Sequence, residues 1–391
     1  MKIGIDARTI LSPEMGEAAG LGHYTYQLIR YLLKIDSQNE YVLFFSYQVR
    51  EKDIKKLKKL RKSNVKIKYF PFSYYKKFLP GVYSELLATA VFSREKLDIL
   101  HVPGGYVPRT YKGKVIVTAY DLGIKKFPEL FSKKQVLRFK LNPPAFNRAD
   151  LVIASSEAAR KDLMNDFKVN ENKIQVINNS FDEKFFQDAS IGEIQKVKDK
   201  YGIKGEYILF MNTIKPLNNL TRIIEMFAKL KIVLASKKPK SHYHLALAGK
   251  DGWMAHQIHR IARDYGLKNR IIFTGYVPPK DLNALFGGAD VFIFPPIYEE
   301  FGAPVLEAMA CGVPVVCSNV SSLPEVAGDA ALLVNPYDTN AMMEAVLRIL
   351  EDQNTRAELK RRGREQARKF HWEKTAMQTL NAYRRLESKK N

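Results

Sequence analysis

The stretch Tyr298-Glu299-Glu300-Phe301-Gly302-Ala303-Pro304-Val305-Leu306-Glu307-Ala308-Met309-Ala310-Cys311-Gly312-Val313-Pro314-Val315-Val316 runs strand, loop, helix, turn, strand. Pro304 fits the first turn of a helix, where a missing N–H costs nothing, and Gly312 fits the C-terminal exit. The loop ahead of this helix therefore offers free backbone N–H groups and a positive helix end, a seat for phosphate or sugar oxygens. Two carboxylates bracket the seat. Glu307, about one turn into the helix, can accept both hydroxyls of a ribose diol in charge-assisted hydrogen bonds. Glu299, eight residues earlier, can bind hydroxyls of a sugar ring and stabilise positive charge developing beside it. The same two acids also fit a purely structural role, complementing the helix dipole.

Outward from this segment, short apolar runs alternate with longer amphipathic ones, the rhythm of parallel sheets with crossover helices. Strands are expected near Lys2–Asp6, Tyr41–Phe45, Val65–Phe70, Asp98–Val102, Val115–Ala119, Leu151–Ala154 and Ile174–Ile177 in the first half. A polar stretch, about Asn178 to Gly205, reads as a hinge before a fresh strand at Tyr207–Phe210. Further strands are expected near Tyr243–Ala248, Ile271–Thr274, Val291–Phe294, Val313–Cys317 and Ala331–Val334, with helices near Leu220–Ala235, Met254–Gly266 and Thr339–Asp352. The pattern predicts an α/β chain of two doubly wound, Rossmann-like domains facing each other across a cleft, with ligands bound beyond the C-terminal strand ends. The expected division is 1–182, 183–370 and a terminal segment, 371–391, that opens on His371-Trp372.

Length and composition agree. A chain of 391 residues exceeds what one core usually serves. With 46% apolar and 27% charged residues it is neither disordered nor fibrous. Val291–Pro296 and Val313–Cys317, the longest apolar runs, are strand-length, well short of the roughly 18 residues of a membrane span. Lys2 leads directly into Ile3-Gly4-Ile5-Asp6, leaving no room for a secretion signal, so the chain is expected in the cytosol, with Cys311 and Cys317 as reduced core residues. Trp253 is also expected in the core.

The charge is lopsided. The whole chain carries +22; up to Ser180 there are 32 basic and 17 acidic residues, leaving 31 and 24 for the remainder. The densest run is Lys55-Lys56-Leu57-Lys58-Lys59-Leu60-Arg61-Lys62, followed by Tyr74-Tyr75-Lys76-Lys77-Phe78-Leu79. The first reads foremost as a solvated helix face; the second fits a solvated face and a lipid headgroup interface equally well. The N-terminal half thus offers an anionic membrane surface a partner. No nucleic-acid-binding module accompanies the charge, and nucleic acid is not expected as a partner.

The segment 298–316 resembles the Glu-x7-Glu motif of family 4 glycosyltransferases, a retaining group with the two-domain GT-B fold. The resemblance covers nearly the whole chain. Ile3-Gly4-Ile5-Asp6-Ala7-Arg8 and Gly20-Leu21-Gly22-His23-Tyr24-Thr25 resemble that family's first strand and glycine-rich loop, and Ala119-Tyr120-Asp121-Leu122 its Ile-His-Asp-Leu element. Gly249-Lys250-Asp251-Gly252-Trp253, Gly275-Tyr276-Val277-Pro278 and the run from Ser318 to Gly328 complete it. Within the family, bacterial enzymes that build surface polysaccharides, mannosyltransferases among them, are the most similar.

The resemblance implies transfer of a sugar from a nucleoside diphosphate sugar to a glycan or lipid-linked acceptor, with retention of configuration and without metal or other cofactor. No Asp-x-Asp pair stands in the sequence. On this reading Glu307 binds the nucleotide ribose, Glu299 the donor sugar, and the backbone of Phe301 and Gly302 meets sugar hydroxyls. Gly20 and Gly22 let a loop approach the diphosphate closely. From the residues themselves, His23 beside Gly22 fits contact with donor or acceptor or a solvent-facing loop place, and Asp121 fits either the acceptor side or a cap on the following turn.

Three positions depart from the family. Leu217 and Asn218, in Asn212-Thr213-Ile214-Lys215-Pro216-Leu217-Asn218-Asn219-Leu220, stand where Arg or Lys usually meets the diphosphate. Asn218 therefore inherits a donor-binding place, with Lys215, Arg222 or Lys250 as substitute cations. Tyr120 replaces a histidine that touches the donor sugar, and Ser180 replaces a glycine. The alternative these departures leave open is a weak or inactive paralogue that binds a sugar nucleotide, a glycan or a partner transferase.

Overall fold

The computed structural model describes residues 1–10, 20–46, 63–70, 81–237 and 242–388. The basic run 55–62 and the aromatic-basic cluster 74–79 lie outside them.

Among the described residues thirteen strands form two parallel sheets, at the places the apolar runs indicate. The first is seven-stranded, in the order β3-β2-β1-β4-β5-β6-β7, with β1 at Lys2–Asp6, β2 at Glu40–Ser46, β3 at Val65–Phe70, β4 at Ile99–Pro103, β5 at Val115–Thr118, β6 at Leu151–Ala154 and β7 at Ile174–Val176. The second is six-stranded, in the order β10-β9-β8-β11-β12-β13, with β8 at Tyr207–Met211, β9 at His244–Ala248, β10 at Ile271–Gly275, β11 at Val291–Phe294, β12 at Val315–Ser318 and β13 at Ala331–Val334. β4, β5, β6, β9, β11 and β12 are buried along their whole length. Strands covered by helices on both faces need continuous apolar runs, and these are what made the strands legible.

The chain divides into two compact units. One holds the described residues of Met1–Lys126, Lys134–Asn179 and Trp372–Asn391; the other holds Phe127–Lys133 and Ser180–His371, as far as they are described. Each has its own core. In the first, the helix Trp372–Ser388 packs Trp372, Ala376, Leu380 and Tyr383 against the helix Gly20–Ile35 and β1. In the second, the helix Leu220–Lys237 and the buried helix Ala303–Ala310 cover β8, β11 and β12.

The polar stretch after Asn178 contains a regular helix, Ile191–Tyr201. Ser190 and Glu193 form a reciprocal capping box at its start, and Gly202, at φ 71°, closes its end in the left-handed conformation. Gly20 and Gly22 correct the reading of a glycine-rich loop: they lie in the first turn of the helix Gly20–Ile35. Glycine disfavours helix by about 1 kcal/mol relative to alanine, but this helix buries Tyr24, Leu28, Ile29, Leu32 and Leu33, which outweighs it. Trp253 is a second correction. It is 37% exposed, in the turn between Gly252 and Met254, outside the periodic apolar face of the following helix. Cys311 and Cys317 are buried free thiols.

Candidate functional site

In the six-stranded sheet the chain runs from β8 outward through β9 to β10, then returns to β11 and continues to β13 on the other side. The gap between the loops leaving β8 and β11 is thus the topological switch point, where α/β sheets bind ligands. Three loops are tied together there. Asn212 donates its N–H to the Ala248 carbonyl at 3.0 Å, and Ile214 donates to the Lys250 carbonyl at 3.0 Å, joining the β8 loop to the β9 loop. Gly249, at φ 147°, makes this junction possible, because a Cβ there would stand 1.9 Å from the Asn212 oxygen. Ile297 donates to the Leu217 carbonyl at 3.0 Å, joining the β8 loop to the β11 loop.

Asn219 locks the arrangement. In the left-handed region at φ 62°, it aims its buried amide at the carbonyls of Pro295, 2.9 Å away, and Pro336, 2.6 Å away. Asparagine is among the few residues that tolerate this backbone. That tolerance was a readable signal, although the sequence reading passed over it. Ser318 and Ser322 add hydroxyl donors to the carbonyls of Pro296 and Glu299, at 2.9 and 2.8 Å.

Against this frame sits the uncapped start of the helix Ala303–Ala310. Gly302, at φ 94°, occupies its N-cap with no side-chain cap, and Pro304 lies in the first turn. A Cβ on Gly302 would fall 2.4 Å from Leu323 Cδ2, so the loop has two reasons to keep glycine there. The half-buried Glu299 carboxyl is raised in pKa by burial, opposed by the charge of Lys215 and by the N–H groups of Phe301, Glu300 and Gly302. Burial pushes the half-buried Glu307 carboxyl up to about 7, opposed by Lys184, a cation that the sequence reading missed.

Lys215, Glu299, Phe301, Gly302 and Glu307 thus belong to one edge of the second sheet. The remaining candidates there have other occupations. Asn218 is buried and its amide donates to the Thr213 carbonyl at 2.6 Å, closing its own turn. Arg222 lies 4.9 Å over the Tyr337 ring and donates to Asn219 Oδ1 at 3.1 Å. Lys250 is exposed.

The other candidates lie in the first unit. Tyr120 follows β5, with its ring 5.4 Å from that of Tyr24 and its hydroxyl accepting from Asn179 Nδ2 at 3.3 Å. Asp121, exposed at φ 60°, accepts the N–H of Ile124 on its carbonyl at 3.4 Å and so starts the turn into the helix Gly123–Lys126. His23 meets Trp372 edge-on at 6.3 Å. Beneath them runs a buried chain missed by the sequence reading: the Tyr24 hydroxyl lies 3.1 Å from Thr118 Oγ1, which lies 2.8 Å from His101 Nε2, and His101 Nδ1 lies 2.7 Å from the Tyr383 hydroxyl. Among the described residues no group of three or more His, Cys, Asp and Glu could hold a metal ion, and no helix is long and apolar enough to cross a membrane.

Comparison with known proteins accords with this architecture. The family model described as Glycosyl transferases group 1 matches residues 193–366, and that described as Glycosyltransferase Family 4 matches residues 18–185. The chain is 32% identical to the O-antigen chain mannosyltransferase B of Escherichia coli over 290 residues, 74% of each chain. A sucrose-phosphate synthase of Thermosynechococcus elongatus superposes with a TM-score of 0.76 at 20% identity, covering 99% of both chains. Alr3699/HepE of Anabaena, solved in complex with UDP-glucose, gives 0.71 at 18% identity, covering 98% of this chain and 100% of that one. With its relatives and its two parallel sheets agreeing, the chain belongs to family 4, group 1, of the glycosyltransferases and has their GT-B fold.

Proposed function

We propose that the protein transfers a hexosyl group, mannose in the first instance, from a nucleoside diphosphate sugar to a glycan or lipid-linked acceptor, with retention of configuration and without a metal ion. The observation that carries this reading is the switch-point edge, where Glu299 and Lys215 belong to loops locked together by backbone hydrogen bonds and Glu307 stands on the helix whose uncapped start those loops lead into. The helix start offers N–H groups to the diphosphate, and Glu307 takes the ribose diol. Glu299 faces the donor sugar. The bond from the anomeric carbon to phosphate oxygen breaks, the acceptor oxygen bonds to that carbon, and the acceptor proton passes to the departing diphosphate. Lys215 offsets the charge that grows there. Tyr120, Asp121 and His23 are the first unit's own candidates for contacts with sugar hydroxyls, Tyr120 through its phenol. Mannose is supported by the E. coli relative's name and a surface-polysaccharide acceptor by the same name; the enzyme then works in the cytoplasm, peripheral to the membrane.

The test is thermal stabilisation by UDP-, GDP-, dTDP- and ADP-sugars, since a ligand bound only by the native state raises its melting temperature. One nucleotide class, GDP for a mannosyl donor, should raise it, and Glu307→Ala should abolish the shift; an unchanged shift removes this site. Leu217 and Asn218, both buried where cations were expected, favour a second reading, a sugar-nucleotide binder with little turnover. Binding without transfer or hydrolysis of any of these donors would establish it.

A further inference from the structure

The helix Lys133–Leu141, with sequence KKQVLRFKL, contains four cations and no acid, and none of its residues is buried. Its inward side is anchored by a ladder of rings: Phe139 meets Phe167 at 6.1 Å, and Phe167 meets the buried Phe146 at 5.2 Å. The outward side carries Leu137 and Leu141, 57% and 62% exposed and four residues apart, hence neighbours on one helical face. At 100° per residue Lys134 lies on the same face, about 20° round the helix from Leu141, with Lys140 and Arg138 flanking. Lys125 adds a further charge, its ammonium 4.9 Å over the same Phe167 ring.

Two leucines side by side on one exposed helical face, ringed by cations and with no acid on the helix, match the needs of a helix lying in a lipid headgroup layer. The leucines enter the acyl boundary and the cations meet phosphates. We propose that the helix Lys133–Leu141 docks the protein on an anionic phospholipid surface, with Leu137 and Leu141 inserted and Lys134, Arg138 and Lys140 on the headgroups. Charge complementarity selects this occupant over a protein groove. The leucines and cations from Lys134 to Leu141 lie in the first unit and include none of the donor-site residues, so this surface stands or falls independently of the donor site.

Full-length protein is to be mixed with vesicles of phosphatidylcholine alone and of phosphatidylcholine with phosphatidylglycerol, after placing an environment-sensitive fluorophore on the Leu137→Cys variant; Cys311 and Cys317 are buried. Anionic vesicles should blue-shift and brighten the probe several-fold, neutral vesicles should leave it unchanged, and 0.5 M salt should reverse the effect. In co-sedimentation, Leu137→Glu with Leu141→Glu should weaken binding to anionic vesicles at least tenfold. The donor-induced melting shift should persist, which shows that the variant is folded. Vesicle binding without a probe response, equal binding by the variant, or no binding at all would overturn the proposal. A probe response to another protein but not to lipid would do the same.

Discussion

The backbone N–H of Ile297 donates to the Leu217 carbonyl at 3.0 Å, so the loop that carries Lys215 and the loop that carries Glu299 are parts of one hydrogen-bonded surface. Leu217 stands where relatives were expected to place a cation, yet its carbonyl positions the neighbouring loop. The position has kept a structural duty through its backbone while its side chain is buried.

If Lys215 carries the diphosphate charge, Lys215→Met should lower kcat about 100-fold, the equivalent of roughly 3 kcal/mol for one preorganised charge partner. Lys250→Met should change it less than about threefold, because an exposed lysine is screened by solvent. Steady-state transfer assays on both variants decide between the two lysines; equal losses would dissolve the distinction.

The Glu307 carboxyl titrates near 7, above the usual carboxylate range, because burial disfavours its charged form. If the carboxylate is the form that grips the ribose, donor affinity should fall about tenfold from pH 8 to pH 6, the span over which the charged fraction is lost. Calorimetric titration of the nucleoside diphosphate checks this, and Glu307→Gln should bind weakly with a flat pH profile.

Gly302→Ala should destabilise the protein by about 2–4 kcal/mol, combining left-handed backbone strain with a Cβ forced against Leu323. Urea denaturation measures the loss. Adding Leu323→Ala should recover less of it than the clash alone would suggest, because the backbone term remains and a cavity is created.

His101 is buried without a charged partner, and burial lowers its pKa to about 3. An unfolded histidine titrates near 6.5, so between these values only the unfolded chain takes up the proton. Stability should therefore fall as pH drops, by about 2 kcal/mol between pH 7.5 and pH 5 from this residue alone. Denaturant melts at the two pH values test it. Tyr383→Phe should cost about 1–3 kcal/mol at neutral pH by leaving His101 Nδ1 unpaired.

Much of this molecule was legible in its residues. Apolar runs such as Val291–Phe294 announce strands covered on both faces, and Pro304 with Gly312 brackets the helix between them, because these signals act over a few residues. Glu299 and Glu307 stand out by their spacing around that helix start. What stayed hidden depends on partners distant in sequence. Trp253 looks apolar but falls in a turn, and Gly20 and Gly22 look loop-forming but join a helix whose buried face stabilises it.

The places of the strands along the chain, the motif around Glu299 and the family are properties of the chain as written, since local patterning and short-range backbone chemistry impose them. Tertiary structure alone decided which polar groups are committed elsewhere. Asn218 closes its own turn, Arg222 stacks on Tyr337 and Asn219 spans two strand exits, while Lys215 alone among these lies beside Glu299. The reason is that a side chain's free valence is settled by whichever partners the fold brings within about 3 Å, and those partners lie up to 117 residues away along the chain.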